Sequence, residues 1–240
     1  MSTSAVSEKE VAPKPAVAPV HGHGHGHHDD EHGGDPHESW DPDPHFGKAS
    51  LGKIGMWFFL CSDALSFGGL LLAYGILRGS STQWHNPGEP ELGINFTAGL
   101  TFLLICSSVT MVLAHAAAVE NKKKETLLFL GLTILGGALF LCGQYKEYFG
   151  IGGPGLIDEG LVFGHSAYAS TFYLITSFHG CHVFTGVTYL TVIFIRTAMG
   201  KFEGGKHNAI EIAGLFWHFV DLVWIIVFTF VYLVPSTPSP

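Results

Sequence analysis

After residue 50 the chain falls into five long runs in which apolar positions dominate, at about 51–77, 94–119, 126–149, 165–197 and 209–234. About 20 apolar residues suffice to cross a hydrocarbon layer roughly 30 Å thick, so the pattern predicts five membrane-spanning helices. The fourth run is too long to stand straight and is expected to tilt or project. PGEPELG and GIGGPG mark turns between runs. Polar positions inside the last two runs are spaced as on a helix. Glu211, Gly214, His218 and Asp221 share one face, and Thr176, His179, His182 and Gly186 share another. An ionised group at mid-depth costs about 2.5–3.5 kcal/mol or more, so both faces must look into protein. The expectation is a polar helix seam of His179, His182, Glu211, His218 and Asp221, with the two carboxylates as partners for the imidazoles. Asp63 lies within the first run, where a carboxylate is a functional-site candidate by default. Just beyond it, Gly68 and Gly69 are expected to permit close helix contact.

Composition agrees with a membrane domain behind a polar tail. Hydrophobic residues make up 47% of the 240 and charged residues only 13%, against about 25% charged in a soluble domain. Nine of the twenty acidic residues precede Phe46. This divides the chain into a disordered His/Gly/Asp-rich cytoplasmic tail at 1–47, a five-helix membrane domain at 48–235 and a short C-terminal tail at 236–240. The first 45 residues contain no apolar stretch, so no signal peptide is expected. The net charge of −8 belongs mostly to the tail and gives no reason to expect nucleic acid. Within the tail, His21, His23, His25, His27 and His28 could chelate copper, zinc or nickel, and a solvated tail is the plainer reading. Cys61, Cys106, Cys142 and Cys181 fall inside apolar runs without a CxxC pair and read as buried free thiols.

Charge also orients the chain. Lys122, Lys123, Lys124, Lys201 and Lys206 fall on the side of the N-terminus, with Arg196 at its edge. The opposite loops carry Arg78 and Lys146. The positive-inside rule therefore puts the N-terminus in the cytoplasm and the C-terminus outside. Lys206 and His207, before the fifth run, are placed to clamp a lipid headgroup. His179, His182 and His218 could form a three-histidine metal site, but polar contact between helices is the favoured reading, and no metal is assigned. Trp217, Trp224 and Tyr232 read as packing or interface residues. The chain has no glycine-rich phosphate loop and no nucleophile beside a poised base. These observations describe a helical membrane subunit that supports another chain, or a small transporter.

Five segments in order resemble subunit III of the haem–copper terminal oxidases, most like that of bacterial cytochrome c oxidase. They are GMWFFLCSDALSFGG at 55–69, AHAAAVEN at 114–121, Gln144 with Glu147 and Tyr148 in the pattern QxxEY, SFHGCHVFTG at 177–186, and His207 and Glu211 followed by WHFVDLVW. The resemblance covers about 52–234 and is to the five-span type. It implies an all-α integral membrane bundle of five transmembrane helices in the bacterial cytoplasmic (inner) membrane. It further implies a non-catalytic core subunit that packs directly beside subunit I, with subunit II and other respiratory chains in the complex. Such a subunit binds structural phospholipid and supports proton uptake while electrons pass from cytochrome c to oxygen. Haem and copper are then expected on partner subunits and none on this chain. Asp63 matches the family's membrane-embedded Glu, shortened by one methylene. The equivalent subunit of a quinol oxidase is the nearest alternative within the family, where Asp often stands at this position. An accessory protein of nitric oxide reductase is a more distant relative of the same fold. A divalent-metal transporter is the alternative from another class.

Overall fold

The computed structural model describes residues 51–82, 84, 90, 92–150, 152–200 and 208–234. Among these residues all regular structure is helical: α1 (Leu51–Ser80), α2 (Ile94–Val119), α3 (Lys123–Phe149), α4 (Ala167–Ala198) and α5 (Asn208–Val227), the last continuing into a π-helical turn, Phe228–Leu233. All five are long and apolar enough to cross a membrane. The sequence boundaries shift in three places. α1 runs on to Ser80, α3 begins at Lys123, and α4 begins at Ala167 because the Ser166 hydroxyl caps it by accepting from the Ala169 amide at 3.0 Å. At 32 residues and 1.5 Å per residue, α4 is about 48 Å long and exceeds the hydrocarbon thickness.

α5 is the most buried helix and α1 the least. α5 packs against α1, α2 and α4, while α3 lies along α2 and α4. Apolar side chains gain little from association inside lipid, so close approach and interhelical hydrogen bonds must hold such a bundle. Three glycines on α3 supply the approach. A Cβ at Gly136 would stand 2.8 Å from Ser107 Cβ, one at Gly137 2.5 Å from the Trp217 ring, and one at Gly143 2.5 Å from Leu100. Two expectations change here. Gly68 and Gly69 meet none of the described residues, and the four free cysteines are exposed on helix faces rather than buried. Bilayer-spanning runs are apolar on every face, so hydrophobic neighbours in sequence do not distinguish the inside of the bundle from its lipid-facing side.

Between α3 and α4 the chain folds back as a short cap. Gly150 ends α3 in the left-handed conformation at φ 69°, its N–H bonding to the Lys146 carbonyl. Leu156 and Leu161 of the cap are buried, and the Tyr173 hydroxyl donates to the Leu161 carbonyl at 2.8 Å. The α2–α3 turn is tighter. Asn121 takes φ 57°, and Lys122 pairs with Glu120 at 2.7 Å, holding the Glu120 carboxyl below its ordinary range.

Candidate functional site: the polar core of the bundle

The polar groups within the spans fall into separate clusters. The first joins α1 to α4. Asp63 Oδ1 and His182 Nε2 are 3.1 Å apart, and Nδ1 of His182 lies 2.7 Å from the Phe178 carbonyl. A carbonyl oxygen only accepts, so Nδ1 must carry hydrogen and Nε2 must face the carboxyl. One proton then lies between Nε2 and Oδ1. The pair is neutral overall whether that proton sits on oxygen or nitrogen, which is how a carboxyl and an imidazole can share a site inside hydrocarbon. Phe67, its ring centre 4.8 Å from that of Phe178 at a tilt of 52° and 5.2 Å from the His182 ring, packs over the pair. Asp63 Oδ2 has no hydrogen-bond partner among the described residues.

His179 sits one turn away from that pair without joining it. It is fully buried, its ring 4.7 Å from Trp224 and 5.7 Å from Phe140, and neither nitrogen has a hydrogen-bond partner among the described residues. The remaining polar residues of α5 go elsewhere. Glu211 binds Lys53 of α1 at 2.7 Å. The half-buried His218 meets the Ser108 hydroxyl at 2.6 Å through Nδ1. Asp221 lies beside the same serine, with Oδ1 unpartnered among the described residues. The expected pairing of α5 carboxylates with α4 imidazoles is therefore replaced. The acid that meets His182 comes from α1, and the two polar stripes approach each other through the His179–Trp224 ring contact.

The hydrogen-bonded seam of the bundle runs along α2. Trp217 Nε1 donates to Ser107 Oγ at 3.1 Å and Trp224 Nε1 to Thr101 Oγ1 at 3.0 Å. Thr110 and Thr133 hydroxyls meet at 2.8 Å between α2 and α3. Thr97 Oγ1 is 3.1 Å from Glu147 Oε1, whose other oxygen accepts from the Tyr232 hydroxyl at 3.1 Å. Tyr232 lies in the π-helical turn. Next to this cluster, Gln144 Nε2 donates to Tyr148 Oη at 3.1 Å and to the Thr176 carbonyl at 2.7 Å, and Tyr148 donates to Thr176 Oγ1 at 2.5 Å. Gln144, Glu147 and Tyr148 are thus one polar knot tying α3 to α2, α4 and the end of α5. The α2 hydroxyls were the missed element. Thr97, Thr101 and Ser108 recur at intervals of four and seven on one face, a signal present in the sequence.

Among the described residues, no three His, Cys, Asp or Glu side chains converge on one point. His179, His182 and His218 have separate surroundings and do not form one three-histidine site. Lys206, His207 and the tail histidines His21, His23, His25, His27 and His28 lie outside the described residues.

The sequence model of the family described as cytochrome c oxidase subunit III matches residues 48–236. The chain belongs to the cytochrome c oxidase subunit III family. Its relatives include cytochrome c oxidase subunit 3 of Synechocystis sp., 35% identical over 190 residues, which are 79% of this chain and 78% of the relative. The subunit of Thermostichus vulcanus is 36% identical over 181 residues, 75% of this chain and 86% of the relative. A probable cytochrome c oxidase subunit 3 of Nocardia farcinica is 32% identical over 187 residues, 78% and 90% of the two chains. Asp63, His182, the polar knot of α3 and the α5 residues from Glu211 to Trp224 all lie within the part of the chain that the family model covers. The chain is a multi-pass membrane protein of a respiratory oxidase family, and that membership displaces the divalent-metal transporter alternative.

Proposed function

We propose that this chain is a non-catalytic core subunit of a cytochrome c oxidase in the bacterial inner membrane, packed directly beside subunit I, with subunit II and other respiratory chains in the complex. Electron transfer and oxygen reduction belong to haem and copper on those partners, and this chain supports proton uptake during turnover. The observation that carries the reading is the Asp63–His182 pair, buried between two spans at 3.1 Å. A carboxyl and an imidazole sharing one proton, with Asp63 Oδ2 unpartnered among the described residues, can hold a proton at a fixed depth without placing net charge in hydrocarbon. Among the described residues, His179, His182 and His218 stand apart from one another in separate surroundings, which supports placing the redox centres on partner chains. Lys206 and His207 hold a structural phospholipid headgroup on the cytoplasmic side, where the N-terminus also lies.

Asp63→Ala tests this reading. The whole complex should keep its haem spectrum, while proton uptake and turnover decline progressively over many catalytic cycles. Uptake and turnover sustained at the unsubstituted level would remove Asp63 from the proton path.

A further inference from the structure

Midway along the α2–α5 contact, the Ser108 hydroxyl meets His218 Nδ1 at 2.6 Å and also bonds the Asp221 side chain. Ser108 lies 14 residues from the start of α2 and 11 from its end. At 1.5 Å per residue the cluster sits roughly 16–21 Å from either helix end, close to the bilayer centre. Asp221 is buried, whereas Ser108 and His218 are half-buried. Ile105 and Val112 on α2 and Leu222 on α5, each one turn from Ser108 or His218, are exposed. The cluster therefore opens onto an apolar outer face.

The protons decide what that opening presents. A serine hydroxyl has one hydrogen to give. In the arrangement without net charge, the Asp221 carboxyl donates to Ser108 and Ser108 donates to His218 Nδ1. The hydrogen of the neutral imidazole then stands on Nε2, at the far edge of the ring. Exposed hydroxyls elsewhere in the spans need nothing from outside. Ser66, Thr185, Thr188 and Thr229 each bond to the carbonyl four residues earlier in their own helix. His218 Nε2 makes no such bond among the described residues.

We propose that this α2–α5 face docks a transmembrane helix of another chain of the complex, one that carries a hydrogen-bond acceptor side chain at mid-depth opposite His218. This docking face presupposes the reading of the chain as an oxidase subunit and adds where, and by what chemistry, a partner helix attaches. Acyl chains offer no acceptor at this depth, and an N–H facing hydrocarbon alone is costly. A single water would need at least one further polar group beside His218, and Ile105, Val112 and Leu222 supply none. The carbonyls of a partner helix are spent within that helix. The acceptor must then be a side chain, the kind of polar contact that joins helices inside membranes.

The test uses the intact complex purified in mild detergent, with a photocrosslinking phenylalanine analogue placed in turn at Val112 and Leu222. Both should crosslink to one other chain of the complex, within a transmembrane helix that has a Ser, Thr, Asn, Gln, Asp or Glu within two turns of the crosslinked residue. Val112→Trp and Leu222→Trp thicken the exposed face and leave the cluster's own side chains in place. Each should release this chain from the complex at a severalfold lower detergent concentration. His218→Leu should do the same. His218→Gln, which offers an acceptor to Ser108 and an N–H outward, should keep the association. Crosslinks to lipid alone, a crosslinked helix without an acceptor side chain, or a complex that withstands both tryptophan substitutions would each overturn the proposal. Haem a bands and cytochrome c oxidation in the unsubstituted complex would then leave the oxidase reading standing, whereas a chain that purifies alone and without haem would overturn both.

Discussion

At the scale of single residues, His182 fixes what Asp63 can do. With Nδ1 held on the Phe178 carbonyl, the imidazole offers the carboxyl a single atom at a fixed position. His182→Ala should leave a buried carboxyl without its partner, at a cost of about 1–3 kcal/mol. A lower thermal midpoint of the complex, together with the same turnover-dependent decline as Asp63→Ala, is the expected result. His182→Gln keeps one hydrogen bond but cannot exchange a proton, and should restore stability without restoring sustained uptake. Recovery of both would show that the contact is structural only. Asp63 could be found in the sequence because an isolated acid in an apolar run has no other explanation. Its partner could not, because helical spacing tells which residues share a face and not which helix stands opposite. The acids on the polar face of the neighbouring span were Glu211 and Asp221, and they turned to Lys53 and Ser108.

At the scale of elements, five helices could be placed from hydrophobic length, and α2 lies where the apolar pattern put it. Their packing could not, because the deciding positions are glycines and hydroxyls that look unremarkable in a run of apolar residues. Gly137→Ala drives a methyl group against Trp217 and Val187 at 2.5 and 2.6 Å. It should destabilise the bundle by about 1–3 kcal/mol, seen as earlier loss of the chain from the complex in rising detergent. Gly69→Ala meets nothing among the described residues. Bundle stability should therefore hold, and any loss of association from this change would place a partner helix on α1. Ser107→Ala leaves the Trp217 N–H buried without its acceptor and should cost about 1–3 kcal/mol. A thermal midpoint unchanged in that variant would contradict the α2 seam.

For the whole molecule, the unevenness of burial carries the functional message. α5 is enclosed by its own chain and α1 is largely bare, with Trp57, Phe58, Leu65 and Leu72 exposed. Lipid or partner helices must cover that surface, as expected of one subunit in a larger membrane assembly. Charge around the tight α2–α3 turn places Lys122, Lys123 and Lys124 together, which supports a cytoplasmic N-terminus. A membrane-impermeant thiol reagent should therefore label a cysteine added after Pro240 from outside intact cells and leave one added before Ser2 unlabelled. The reverse pattern would invert the topology.

The most direct measurement is a reduced-minus-oxidised visible spectrum of the complex that co-purifies with this chain in mild detergent, followed by oxygen uptake with reduced cytochrome c. Haem a bands with cytochrome c oxidation are the expected result. A complex that oxidises quinol but not cytochrome c, or a lone chain without haem, would contradict the account.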